Sequence, residues 1–291
     1  MASLLTHILN VMFRHMPVIE DTAAEREKNA ARRQPKPPKG VTLKENYLGL
    51  PCEIAEKEGN GDIVVLNIHG GGFTTGSAKE IRSLTFYICN RLGYNCIACD
   101  YRLAPEHKLP AAFDDCFSVY KELIKAHPRL IVVGGSAGGT LALATAQRAM
   151  RENVPAPLIV AAFSPLAGIG LELPSHSKNL KTDYMLKRDP SGGTLLTKLI
   201  PAGADKNFFQ NPLISPVFGD FNGFPPLFIS ASDTEILYDD ACVLYEKAKQ
   251  AGVDCIFERG RSMLHAWAGI PQLPEARKTL ANLKAFILRT L

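Results

Sequence analysis

Two hydrophobic spacings divide the chain. Near the N-terminus Leu4, Leu5, Ile8, Leu9, Met12 and Phe13 recur at intervals of three and four, predicting a short helix with one apolar face that needs a cover. A charged helix over 22–33 and a proline-rich linker follow, and the first strand material lies at 41–48. From residue 62 the pattern changes. Ile63-Val64-Val65-Leu66-Asn67-Ile68 is a nearly continuous apolar run, as expected for a strand buried on both faces of a parallel sheet. Helices over 81–92, 111–126, 137–151, 239–251 and 274–291 then alternate with strands over 95–99, 130–133, 157–164, 225–230 and 254–258. This alternation predicts βαβ units and an α/β fold with helices on both faces of a mostly parallel sheet. One stretch, 171–223, breaks the rhythm with irregular Pro, Gly, Lys and Asp and only short helical pieces. It is too long for an ordinary loop. With the N-terminal helices it is expected to form a lid over the sheet's carboxyl edge, where open α/β sheets bind ligands.

Composition narrows the class. In 291 residues, 46% hydrophobic and 21% charged, there is no disordered or membrane bias. A net charge of +4 is too mild and too evenly spread for a nucleic-acid partner. The one basic cluster, Arg32-Arg33-Gln34-Pro35-Lys36-Pro37-Pro38-Lys39, reads as a solvated linker. Seven cysteines show neither a disulfide nor a zinc rhythm. All seven read as buried thiols; Cys96 and Cys99 form a C-x-x-C inside a strand, where residues three apart face opposite ways, so neither a redox pair nor a metal pair is expected. Free thiols suit a cytoplasmic location. The N-terminus lacks a basic n-region, and no stretch approaches a spanning length, so neither a signal peptide nor a membrane partner is expected.

The chemistry-bearing stretch is Leu130-Ile131-Val132-Val133-Gly134-Gly135-Ser136-Ala137-Gly138-Gly139. A strand ends in a G-x-S-x-G and a helix follows, so Ser136 falls on a sharp turn that can lift its hydroxyl above the sheet. A phosphate-binding turn is the bland alternative. The strand at 63–68 ends in His69-Gly70-Gly71-Gly72-Phe73, whose bare backbone N–H groups suit an oxyanion hole. As a phosphate cradle it lacks a following Gly-Lys-Ser or Gly-Lys-Thr. A serine nucleophile needs a histidine base and an orienting acid. Only His176 and His265 follow Ser136. His176 sits in the polar stretch Pro174-Ser175-His176-Ser177 and reads as a solvated surface residue; His265, after the last strand, is the base expected here. Asp233 and Glu235, just past the strand at 225–230, both qualify as the acid. Asp239 and Asp240 are better placed to serve the N-terminus of the next helix.

These motifs resemble the hormone-sensitive-lipase group of the α/β-hydrolase fold, bacterial esterase family IV. The resemblance runs from about residue 64 to the C-terminus. It includes Asp100-Tyr101-Arg102-Leu103-Ala104-Pro105-Glu106-His107, Pro110-Ala111-Ala112, Asn211-Pro212-Leu213-Ile214-Ser215-Pro216 and Pro225-Pro226-Leu227. It implies hydrolysis of small, short-chain acyl or aryl esters without metal or cofactor: Ser136 as nucleophile, His265 as base, and Gly71, Gly72 and Ala137 as the oxyanion hole. The matching acid position is Glu235, where the family usually has Asp, and Asp233 keeps the choice open. Gly135 also departs from the family's usual Asp. Residues 1–45 would be cap helices and linker and 46–291 the catalytic domain, with 170–223 a further cap segment.

Arg102 and Glu106 are expected to pair and steady the glycine loop. Phe73 and Trp267 are candidate pocket residues, although an aromatic beside a sheet edge is more often core. The amphipathic C-terminal helix (Leu280, Leu283, Phe286, Ile287, Leu291) can pack on the sheet or form a homodimer interface. Lactone or amide hydrolysis would use the same machinery. A non-catalytic receptor on the same fold typically lacks the histidine that this chain has as His265.

Overall fold

The computed structural model describes residues 2–15, 22–183, 185–186 and 194–291. In chain order the strands are β1 (Val41–Glu45), β2 (Cys52–Lys57), β3 (Val64–Ile68), β4 (Asn95–Cys99), β5 (Leu130–Gly135), β6 (Val160–Phe163), β7 (Leu227–Ser232) and β8 (Cys255–Gly260). They form one sheet in the order β1-β2-β4-β3-β5-β6-β7-β8, parallel from β4 to β8 and antiparallel where β1 meets β2 and β2 meets β4. The helices are α1 (Leu4–His15), α2 (Thr22–Ala30), α3 (Arg82–Tyr87), α4 (Ala111–Ala126), α5 (Ala137–Arg151), α6 (Pro174–Lys178), α7 (Thr194–Leu199), α8 (Lys206–Phe209), α9 (Tyr238–Gln250) and α10 (Pro274–Thr290).

Alternation along each strand divides the core. Leu66, Ile68, Ile97 and Val132 face α4, α5 and α9, whereas Val65, Ile131, Val133 and Phe228 face α3 and α10. Cys99 and Cys96 fall on these two opposite faces, as strand geometry requires. Each fully buried Leu, Ile or Phe removed from water contributes about 1.5–3 kcal/mol. Leu280, Leu283, Phe286 and Ile287 bury α10 against the sheet, so this face is not a free dimer surface.

Two expectations at the sheet edge need correction. The strand placed at 41–48 stops at Glu45, and β2, unrecognised in the sequence, follows it. β2 carries Glu53, whose buried carboxylate receives Arg82 Nε at 2.8 Å and Nη2 at 2.5 Å, so a charged residue serves an interior position. The helix expected over 81–92 is α3 followed by one π-helical turn, Ile88–Leu92.

Along α1, Leu9 and Phe13 pack against Met263, Leu264 and Trp267, while Leu4, Leu5, Ile8, Val11 and Met12 stay exposed. The stretch at 170–223 carries α6, α7 and α8, and Lys198 Nζ of α7 donates to Thr22 Oγ1 of α2 at 2.9 Å. Parts of both expected cap segments, 1, 16–21, 184 and 187–193, lie outside the described residues.

Candidate active site

β5 delivers Ser136 to the start of α5 with φ 56° and ψ −127°. Its N–H donates to Phe163 O at 2.7 Å, fastening the turn to the end of β6. The turn depends on its glycines. A Cβ on Gly138 would lie 2.1 Å from Ile68 O, and one on Gly134 2.2 Å from Gly138 O, so only bare backbone lets α5 leave this close to β3 and β5. At Gly135 a Cβ would meet Ala266 Cβ at an ordinary 3.6 Å, which explains why this position is less constrained.

The glycine loop after β3 lies on the same turn. A Cβ on Gly70 would approach Gly135 O to 2.7 Å, and one on Gly71 (φ +103°) would approach Thr75 O to 2.2 Å. Gly71 O instead accepts from the N–H groups of Thr74 and Thr75 at 3.0 and 2.9 Å. Tyr101 closes the loop from behind: its ring stacks on His69 at 4.0 Å and its hydroxyl donates to His69 O at 2.9 Å. Burial lowers the His69 pKa from 6.5 to about 4, although its hydrogen bond with Gly70 O opposes the shift.

His265 follows β8. Its Nδ1–H donates to Glu235 Oε2 at 2.5 Å, and both residues are buried. Glu235 Oε1 accepts from Ser164 Oγ at 2.8 Å and from Ser232 N at 2.7 Å, leaving one carboxylate geometry available. Ser164 Oγ in turn accepts from Ala266 N at 3.0 Å, so one hydroxyl fixes both the acid and the residue after the histidine. Burial alone would lower the His265 pKa. The charge and hydrogen bond of Glu235, with the charge of Asp183, outweigh burial and raise it. Among the described residues Nε2, also buried, has no hydrogen-bond partner, Ser136 Oγ included. Such contacts commonly tighten only when substrate is bound.

Gly72, Phe73, Ser136 and Ala137 line a cavity of about 280 Å³. Leu166, Ile169, Leu171, Leu195, Leu196 and Leu199 make most of its remaining wall apolar. Among the described residues no group of three His, Cys, Asp or Glu side chains is placed to hold a metal ion. None of the described helices is long and apolar enough to cross a membrane.

A profile of the α/β-hydrolase fold family matches residues 65–269. The chain belongs to the α/β-hydrolase family. An acetyl-hydrolase of Streptomyces hygroscopicus is 33% identical over 227 residues, 77% of this chain and 74% of that protein. An esterase of Acinetobacter venetianus is 32% identical over 252 residues, 82% and 78% of the two chains. Among solved structures, a hormone-sensitive lipase from a metagenome library matches with a TM-score of 0.85 at 29% identity, covering 99% of this chain and 98% of that one. An esterase of the bacterial hormone-sensitive lipase family gives 0.87 at 27% identity, covering 100% and 99%. Within the α/β-hydrolases the chain falls in the hormone-sensitive-lipase group of esterases.

In this α/β-hydrolase the carboxylate beside His265 is the one expected, whereas the readings of His176 and Trp267 change. Glu235, not Asp233, reaches His265; Asp233 is exposed and its Oδ1 accepts from Ser262 N at 2.8 Å. His176 is not a solvated surface residue. It is buried on the cavity wall with Nε2 donating to Asp240 Oδ2 at 2.5 Å, while Asp240 Oδ1 accepts from Ala167 N at 2.8 Å. Asp240 therefore serves the cavity wall as well as the first turn of α9. Trp267 does not line the cavity. It is core, packed with Met263, Leu264 and Leu273, its Nε1–H donating to Thr279 Oγ1 at 3.2 Å. Phe73 is both wall and core, stacked on Phe113 at 5.5 Å.

Arg102 and Glu106 do not pair: Arg102 binds Asp115 through Nη2 at 2.7 Å, and Glu106 binds Arg26 Nη1 at 2.8 Å. Arg26 also donates to Thr74 O at 2.7 Å and Ala104 O at 2.5 Å, so the clamp on the glycine loop comes from α2. Ser164, Arg26 and Asp183 were not singled out from the sequence. A serine ending a strand and an arginine on a charged helix are ordinary features, and only their distant partners give them a role.

Proposed function

We propose that this esterase hydrolyses small, short-chain acyl or aryl esters through a Ser136–His265–Glu235 triad and an acyl-enzyme intermediate. The observation that carries the reading is the state of His265: Glu235 fixes its Nδ1–H, and its buried Nε2 has no competing partner among the described residues. That is the tautomer a general base requires. His265 Nε2 removes the proton of Ser136 Oγ as the oxygen attacks the ester carbonyl. The developing oxyanion is held by the N–H groups of Gly71, Gly72 and Ala137, the first two exposed by a left-handed backbone without side chains. The tetrahedral intermediate collapses, His265 gives its proton to the departing alcohol, and an acyl-Ser136 ester remains. Water, deprotonated by His265, attacks this ester; collapse returns the proton to Ser136 and releases the carboxylic acid.

A leucine-rich cavity of about 280 Å³ suits a short apolar acyl or aryl group and offers little room for a long chain. The names of two relatives, an acetyl-hydrolase and an esterase, agree with this. Residues 1–45 and 170–223 act as the cap over a catalytic domain spanning 46–291. Hydrolysis of p-nitrophenyl esters from acetate to dodecanoate tests the reading. Activity should be greatest on the shortest chains and vanish in Ser136→Ala. An active Ser136→Ala protein, or a preference for dodecanoate, overturns it.

A further inference from the structure

The cap segment grips the loop that carries Glu235. Asn179 Nδ2 donates to Glu235 O at 2.9 Å and to Asp233 O at 3.1 Å, Thr182 Oγ1 donates to Thr234 O at 3.0 Å, and Ser175 Oγ donates to Ile236 O at 2.6 Å. These contacts are neutral and satisfy carbonyl groups. Asp183 differs. Buried at 5% exposure, its Oδ2 accepts from Ile236 N at 2.9 Å, the amide immediately after Glu235. Its Oδ1 accepts from Met185 N at 3.0 Å and from Leu186 N at 2.9 Å, and Leu186 lines the substrate cavity. One carboxylate therefore holds both the cavity wall and the acid loop.

We propose that Asp183 is a positioning residue: it fixes the backbone that presents Glu235 and sets a second negative charge beside His265, tying the seating of the cap to the working of the triad. This inference rests on the triad reading given above. Two features go beyond packing. Three amides converge on Asp183, and a neutral Asn or Ser oxygen could accept part of that set without placing an anion beside the imidazole. No Lys or Arg among the described residues neutralises it, so its field reaches His265 and adds to that of Glu235 in raising the imidazole pKa. Among the described residues the charged groups that share the small void beside His265 are Glu235, from the loop after β7, and Asp183, from the cap segment. The other walls contribute the uncharged Asn10 of α1, Thr182, Thr234, Met263 and Leu264.

The test is Asp183→Asn in the full-length chain. kcat and KM for p-nitrophenyl butyrate are followed from pH 5 to 9, at the wavelength where phenol and phenolate absorb equally. The acid limb of kcat/KM should move to lower pH than in the parent, and kcat should fall on the order of 10-fold with KM little changed. Asp183→Glu keeps the charge and should leave the limb at the parent's pH. Thr182→Val, which removes a neutral contact of the same clamp, should also leave it there. If Asp183→Asn does not fold, Asp183→Ser, with room for water at the three amides, carries the same expectation. An acid limb coincident with the parent's in a folded neutral variant, or an equal shift in Thr182→Val, overturns the proposal. Ser136→Ala separates the two levels: if it retains the parent's rate, the triad reading fails, whereas loss of activity there with an unmoved limb in Asp183→Asn refutes only the role of Asp183.

Discussion

Glu235→Gln isolates the acid from everything else in the site, because the change is isosteric and Glu235 touches the histidine rather than the substrate cavity. The outcome follows from the donors around the carboxylate. Ser232 N and Ser164 Oγ both donate to Oε1, so a glutamine must turn its carbonyl oxygen toward them and its NH2 toward His265. Facing a donor, Nδ1 must accept, and the imidazole proton moves to Nε2, where it can no longer receive the proton of Ser136. In serine hydrolases this wrong-tautomer state costs about 1,000- to 10,000-fold in kcat, or about 4–5.5 kcal/mol of barrier. KM should stay within about 3-fold, because no cavity contact changes. Asp233→Asn is the matched control: the side chain is exposed and, among the described residues, accepts only from Ser262 N, so activity should stay within about 2-fold. Steady-state hydrolysis of p-nitrophenyl butyrate, with circular dichroism to confirm folding, measures both. Retention of more than a tenth of the parent's kcat in Glu235→Gln, or collapse in Asp233→Asn, would refute the assignment.

The other expectations concern the scaffold. His69 binds a proton less readily when folded than when unfolded, its pKa lowered from 6.5 to about 4. Its contribution to stability is therefore complete above pH 6.5 and shrinks as pH falls toward 4, by about 3 kcal/mol. Urea unfolding at pH 7, 5.5 and 4 should show a steeper decline for the parent than for His69→Gln, and parallel curves would contradict the argument. Arg26→Ala should lower stability by about 1–2 kcal/mol and kcat/KM severalfold by loosening the loop at Thr74. Arg102→Ala breaks an exposed pair and should cost less than about 1 kcal/mol in a thermal melt, with activity kept. Gly138→Ala drives a Cβ into Ile68 O and should leave little folded protein, whereas Gly135→Ala should fold and express like the parent.

What the sequence shows well is what local spacing can encode. The buried run at 63–68, the glycines on either side of Ser136 and the triple glycine at 70–72 each dictate a backbone shape without help from elsewhere. The structure has β3, the strand-to-helix turn and the positive-φ loop where those patterns lie. Which carboxylate meets His265 is not legible locally because Asp233 and Glu235 sit in one tight turn: Ser232 N and Ser164 Oγ hold Glu235 in place, and Ser164 lies 71 residues away in the chain.

The errors share a cause. Glu53 in β2, His176 on the cavity wall, and Arg102 with Glu106 are polar residues whose surroundings depend on partners far along the chain. Arg82 is 29 residues from Glu53, Asp240 is 64 from His176, and Arg26 is 80 from Glu106. Periodicity registers apolar faces, so a charged residue buried by a distant partner reads as surface, and a pairing guessed from nearness replaces the true one. The segment at 175–183 is held largely by such contacts: Ser175, His176, Asn179, Thr182 and Asp183 all meet the loop after β7 or the first turn of α9 through hydrogen bonds. Apolar cores tolerate swaps of similar volume, whereas a buried polar partner left alone costs about 1–3 kcal/mol. Conservative-looking changes among these five residues should therefore disturb the site more than leucine-to-methionine exchanges at Leu195 or Leu196, although the leucines line the cavity themselves.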